Sequence, residues 1–241
     1  MARSAIERNG RGRTGGLAKR HDPLTGLVMT VPVFLVYHLG ILLVDLRNGA
    51  DLVTGVALAL LDFSSLAYVA VTLAFAAGIV GAAAWLRGRS RIEPRELVPV
   101  LLESLVLAML MAFTVGLAVE RLFAAQVGPR PLGPLEKLVM ACGAGFHEEL
   151  LFRVVLFGGG VELLRRVGRS PLRALLVAGV VSSLLFSAAH YVGSLGDALR
   201  ATSFVFRFLS GAFLAAVYRL RGFAVAVYTH TLYDLLVFFV L

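Results

Sequence analysis

Two adjacent carboxylates lie inside an apolar stretch, residues 145–157, where Glu148, Glu149 and Arg153 interrupt a run of Phe, Leu and Val. Burying an ionised carboxylate in a bilayer costs several kcal/mol unless it is paired or hydrated, so both acids are candidates for function. Glu149 and Arg153 are four residues apart and face the same side of a helix, which predicts an ion pair. Glu148 points about 100° away from that pair. It is therefore the candidate general base.

Two further polar groups lie on later apolar segments. His190 ends the sequence FSAAH, which begins at Phe186, and His230 and Asp234 are one helical turn apart in HTLYD. Such a His/Asp pair is either a hydrogen bond that orients the histidine or two ligands of one atom. The candidate site therefore combines acids and histidines from three separate segments of an otherwise apolar chain.

The elements that carry these residues are predicted to be membrane-spanning helices. Hydrophobic residues make up 59% of the 241 residues, and charged residues make up 16%. A helix that crosses a hydrocarbon core of about 30 Å needs roughly 20 mostly apolar residues. The sequence predicts an all-α, polytopic transmembrane bundle of about seven spans, at residues 24–46, 64–86, 97–119, 135–157, 172–191, 201–220 and 222–241.

The basic residues indicate how this bundle is oriented. Most of the 23 Lys and Arg residues fall in the N-terminal tail and in alternate loops, which favours a cytoplasmic N-terminus and an outside C-terminus. The net charge of +8 is thus explained by topology, and no nucleic-acid partner is expected. We predict a disordered basic tail (1–23), N-terminal membrane spans (24–134) and a functional core (135–241). The protein is expected to lie in the lipid bilayer of a bacterial-type inner membrane.

The three polar groups match three ordered motifs. Glu148-Glu149-x-x-x-Arg153, Phe186-x-x-x-His190 and His230-x-x-x-Asp234 resemble E-E-x-x-x-R, F-x-x-x-H and H-x-x-x-N/D. These are the motifs of the CAAX-protease and bacteriocin-processing family, also called Abi, and the resemblance covers about residues 135–241. Two positions depart from the family pattern, since Val154 replaces a common glycine and Asp234 replaces the commoner asparagine.

The resemblance implies an intramembrane endopeptidase that processes a membrane-associated peptide or protein tail. Glu148 would activate water for attack on a peptide carbonyl, while His190 and His230 would bind or orient that water. Glu149 and Asp234 would also belong to the catalytic set, with Arg153 and Phe186 orienting it. Two alternatives follow for the cofactor: a metal-independent reaction, or a zinc ion held by Glu148, His190 and His230.

Several alternative functions stay open at this point. A transporter or proton relay would also use buried acids, histidines and the intramembrane Arg207, although no inverted repeat is evident. A catalytically inactive scaffold of the same fold is a second alternative. Cys142 as a nucleophile is a third, but it would leave the paired glutamates unexplained. Arg207 is predicted either to bind a substrate carboxylate or to extend to the membrane interface. The motifs do not choose the substrate or the oligomeric state.

Overall fold

The computed structural model describes residues 23–44, 46–51, 54–62, 64–87, 97–122, 132–192 and 197–240. The predicted basic tail, apart from Pro23, lies outside these residues, as do the loop positions Arg89 and Arg130. Within the described ranges the secondary structure is helical, without strands: α1 (Pro23–Met29), α2 (Val31–Gly40), α3 (Thr54–Leu60), α4 (Ser65–Arg87), α5 (Leu97–Leu122), α6 (Pro134–Gly143), a π-helical segment (Ala144–Gly158), α7 (Gly159–Arg166), α8 (Pro171–Ala189), α9 (Ala201–Arg221) and α10 (Phe223–Phe239).

This architecture confirms an all-α membrane bundle. Five of the described helical stretches are long and apolar enough to cross a membrane: Pro23–Gly40, Ser65–Leu86, Leu97–Ala118, Pro171–Ala189 and Ala201–Arg221. Helix α10 is a shorter apolar helix. The predicted span 135–157 lies within the uninterrupted helical run from Pro134 to Arg166, and the predicted span 24–46 loses its helical form after Gly40. The total of seven spans stays a prediction.

Helix α10 lies at the centre of the bundle. It packs against α5, α9, α6, α1 and the π-helical segment. Its first turns, from Ala224 to Val227, are almost completely buried, whereas α4, α5 and α8 expose large apolar side chains such as Leu66, Leu102 and Leu172. The exposed apolar surface suits a lipid environment. His230 and Asp234 are thus carried by a helix whose first turns are buried within the bundle.

Two glycines let α10 take this position. Gly222 is the single residue between α9 and α10, and its φ of 99° is a conformation that residues with a Cβ rarely adopt. At Gly145 an added Cβ would lie 2.8 Å from the Val227 carbonyl oxygen and would also collide with Thr231 Oγ1. Small residues allow such close approach between membrane helices. The π-helical segment and α10 can therefore bring their polar side chains together.

Candidate active site

The structure brings the three sequence motifs to one place. The π-helical segment carries Glu148, Glu149 and Arg153, the C-terminal end of α8 carries Phe186 and His190, and α10 carries His230 and Asp234. A long π-helix is rare, and π-helical turns occur often at functional sites. Glu149 and Arg153 are 0% exposed, and Glu148 is 8% exposed. Burial of this many ionisable groups requires that they pair with one another.

Glu149 is held by two partners. Its Oε2 lies 3.1 Å from Arg153 Nε, and its Oε1 accepts a hydrogen bond of 2.9 Å from His230 Nδ1. The Arg153 guanidinium also covers the ring of Phe186, at 4.5 Å from the ring centroid. Glu149 and Arg153 thereby connect the π-helical segment to α8 and to α10.

Glu148 has a different environment. Its Oε1 accepts a hydrogen bond of 2.8 Å from Asn48 Nδ2, and its Oε2 has no hydrogen-bond partner among the described residues. Glu148 Oε2 lies 3.8 Å from His190 Nε2, which is too far for a direct hydrogen bond. Two polar atoms at such a separation can share a bridging water. The gap between Glu148 and His190 therefore suits one water molecule.

The ring of His190 is oriented by its own helix. His190 Nδ1 donates a hydrogen bond of 2.8 Å to the Phe186 carbonyl oxygen. In the neutral imidazole this leaves Nε2 as the acceptor, and Nε2 is the atom that faces Glu148. The F-x-x-x-H spacing therefore has a local structural reason, because it places the carbonyl oxygen of the phenylalanine at the histidine ring.

A cavity of about 260 Å³ lies beside this group. His190, His230 and Asp234 line it on one side, and Arg207 and Ser210 of α9 line it on another. His230 Nε2 is 3.8 Å from Asp234 Oδ2. Glu148 does not line the cavity, but it lies 3.8 Å from His190, which does. The cavity gives a peptide segment room next to the proposed water position.

The predicted metal-ligand set does not form a metal site as placed. Among the described residues, no group of three or more His, Cys, Asp or Glu side chains is arranged to hold a metal ion. His230 Nδ1 is used by Glu149, and His190 Nδ1 is used by the Phe186 carbonyl oxygen. Each of these histidines keeps Nε2 as the atom that could bind a metal, so zinc binding by Glu148, His190 and His230 stays a prediction.

Arg207 and Cys142 occupy different surroundings. Arg207 forms an ion pair with the exposed Asp197 and lies over the ring of Tyr191, at 5.0 Å from its centroid. It therefore lines the cavity and also pairs with an exposed carboxylate. Cys142 is a buried free thiol in the apolar core, in a cluster that includes Val139.

Asn48 is the site residue that the sequence did not indicate. It lies between α2 and α3, in the region predicted to hold the N-terminal membrane spans, and it contacts Glu148 across a sequence separation of 100 residues. In the sequence, Asn48 is followed by Gly49, and this dipeptide is typical of a turn. A turn signal carries no information about a distant carboxylate, so only the tertiary structure identifies the contact.

Comparison with known families gives one match. The family model described as Rce1-like, type II CAAX prenyl endopeptidase Rce1-like, matches residues 131–236. The matched range includes all three motifs and supports the resemblance to the CAAX-protease family. No curated protein and no solved structure gave a match.

Proposed function

We propose that the protein is an intramembrane endopeptidase that cleaves a membrane-associated peptide or protein tail, with Glu148 as the general base. The observation that carries this proposal is the 3.8 Å gap between Glu148 Oε2 and His190 Nε2, next to a polar cavity. The family match supports peptide-bond hydrolysis as the reaction. The substrate tail would enter the cavity so that one of its carbonyl carbons lies within reach of the water.

In this reaction the water donates one proton towards Glu148 Oε2 while its oxygen attacks the carbonyl carbon. Glu148 then passes that proton to the leaving nitrogen and the C–N bond breaks. The products are a carboxylic acid and an amine, and transfer of the acid's proton to the amine gives a carboxylate and an ammonium group. His190 orients the water through Nε2. His230, fixed by Glu149, would donate Nε2–H in its doubly protonated form to the developing oxyanion. Asp234, one turn further along α10, lies 3.8 Å from the same Nε2 and would stabilise the positive charge of the doubly protonated ring.

This mechanism uses side chains of the chain alone. A bound zinc ion would add a Lewis acid, but among the described residues no group of three or more His, Cys, Asp or Glu side chains is already arranged to hold one. We therefore expect the purified protein to keep its activity after dialysis against a chelator. Loss of activity that added zinc restores would contradict this expectation and would require a rearranged ligand set.

Arg207 is proposed to bind a carboxylate of the substrate. Its Nη1 is buried without a hydrogen-bond partner in the described part of the chain, and so is the hydroxyl of Ser210, which lies three residues further along α9. Both residues line the cavity that contains His190 and His230. A free guanidinium N–H and a free hydroxyl are suitable donors for a carboxylate.

Asp197 provides the matched control for Arg207. The backbone N–H of Asp197 donates to the His190 carbonyl oxygen at 2.9 Å. The alternative role of Arg207 is therefore to hold this segment in place through its ion pair with Asp197, without contacting the substrate. If Arg207 binds substrate, Arg207→Ala raises KM and Asp197→Ala does not. If Arg207 only holds the segment, both variants lose activity to the same extent.

The proposed function is tested by mass spectrometry of membrane peptides from cells that express the wild type or the Glu148→Gln variant. New peptide termini present only with the wild type would identify the substrate and the membrane side of cleavage. Identical termini in both samples would contradict proteolysis by Glu148. That result would favour the transporter or inactive-scaffold alternatives.

A further inference from the structure

The segment between α2 and α3 reaches the proposed catalytic carboxylate. Asn48 is buried, and its Nδ2 donates a hydrogen bond of 2.8 Å to Glu148 Oε1. Asn48 lies outside residues 131–236, which match the protease family. The candidate active site therefore includes a contact from a part of the chain that the family match does not cover.

The amide of Asn48 is fixed in one orientation. Its Oδ1 accepts a hydrogen bond of 2.8 Å from the backbone N–H of Ala50, which is the geometry of an Asx turn. Its own backbone N–H donates to the Tyr37 hydroxyl at 3.0 Å. Because the oxygen of the amide is engaged by an N–H donor, the nitrogen of the amide must face Glu148.

This turn is anchored to both neighbouring helices. The hydroxyl of Tyr37, a fully buried residue of α2, donates to Asp51 Oδ2 at 2.8 Å, and Asp51 Oδ1 accepts from the backbone N–H of Thr54 at 2.9 Å. Burial by itself would raise the pKa of Asp51, but hydrogen bonds from Thr54 and Tyr37 hold this pKa below its ordinary value. Asp51 is therefore an ionised anchor for the segment that carries Asn48.

We propose that Asn48 is a positioning residue that makes Oε2 the reactive oxygen of Glu148. This inference rests on the proposed role of Glu148 as general base. Since Oε1 is engaged by Asn48, the carboxylate cannot rotate freely, and Oε2 alone is presented to the water position at His190. Residues that orient a catalytic or ligating group in this way affect the reaction without touching the substrate.

The variant that removes this contact is Asn48→Asp. It keeps the oxygen that accepts from Ala50 and the backbone N–H that donates to Tyr37. It replaces the donor to Glu148 with a second carboxylate, which also adds a negative charge beside Glu148. We expect kcat to fall by about 10- to 100-fold, the range seen for orienting partners. KM should change by less than about twofold, because Asn48 does not line the cavity that receives substrate.

The double variant Asn48→Asp/Glu148→Gln serves as the control for folding. Here the new amide at position 148 can donate to the new carboxylate at position 48, so the hydrogen bond is restored in the opposite direction. Its thermal midpoint should recover relative to Asn48→Asp, while activity stays absent because the base is missing.

Two outcomes overturn the proposals separately. If Asn48→Asp has the wild-type kcat while Glu148→Gln is inactive, Asn48 does not position Glu148. The proposed function then still stands. Activity in Glu148→Gln removes the proposed function itself. If the kcat of Asn48→Asp falls only in proportion to the folded fraction, Asn48 is structural and the inference is wrong.

Discussion

The helical run from Pro134 to Arg166 contains two Glu/Arg pairs with the same spacing in opposite surroundings. Glu149 and Arg153 have 0% of their side-chain surface exposed, whereas Arg166 and Glu162 have 75% and 57% exposed. Removing one partner of a buried pair leaves the other charge uncompensated and typically costs about 3–5 kcal/mol. We therefore predict that Arg153→Ala lowers the free energy of unfolding by about that amount. Arg166→Ala should cause no measurable change, since exposed pairs contribute little.

The contacts of Arg153 support the upper part of this range. Its guanidinium covers the Phe186 ring, and a cation–π contact shielded from water contributes about 2 kcal/mol. Glu149, the charge left behind, would keep only the hydrogen bond from His230. The two contributions are not independent, so we do not expect them to add.

The single cysteine of the chain supplies the assay. Cys142 is buried on the same helical run, in α6, and is protected from thiol reagents while the helices are packed. Heating purified protein in detergent with a thiol-reactive fluorophore would report the midpoint at which Cys142 becomes accessible. A large decrease is expected for Arg153→Ala and none for Arg166→Ala. Equal midpoints in the two variants would refute the argument that burial determines the strength of these pairs.

Three further predictions concern the reaction and the topology. His190→Ala and His230→Ala should each abolish cleavage. The double variant should be no less active than either single variant, because groups that act as a unit are disabled by one loss. If the two rate losses multiply in activity assays, the histidines do not share one site. Cys142→Ser should cleave at the wild-type rate, whereas loss of activity with normal folding would support a cysteine nucleophile. Arg130 and Arg169 lie in the loops before and after the predicted span 135–157. Cysteines placed at these two positions should be labelled from opposite membrane sides, with Arg169 cytoplasmic. Labelling of both from one side would refute the seven-span orientation.

The local part of the candidate site could be predicted from the sequence. A four-residue spacing between Glu149 and Arg153 predicts contact on any helical segment, and the structure has this contact within a π-helical geometry. The last two predicted spans, 201–220 and 222–241, leave almost no room for a loop, and Gly222 is the single residue between α9 and α10. These features depend on neighbours in sequence, so spacing and residue type are sufficient to predict them.

The partners of Glu148 could not be predicted in the same way. Asn48 is 100 residues away, and its sequence surroundings indicate only a turn. The spacing of the motifs likewise does not show that His230 donates to Glu149. Such contacts depend on how helices pack, and here that packing requires the close approach of α10 at Gly145. The sequence therefore indicated the candidate site residues, but it did not indicate which of them form hydrogen bonds or ion pairs with one another.

The most direct test of the central claim is cleavage of an identified membrane peptide by purified Glu148→Gln protein. The substitution keeps the size of the side chain and its hydrogen-bonding capacity but removes the group that accepts a proton from water. We predict a rate at least about 100-fold below that of the wild type, as expected for loss of a general base, with the thermal midpoint retained. Cleavage by the folded variant at the wild-type rate would show that Glu148 is not the base and would contradict the mechanism.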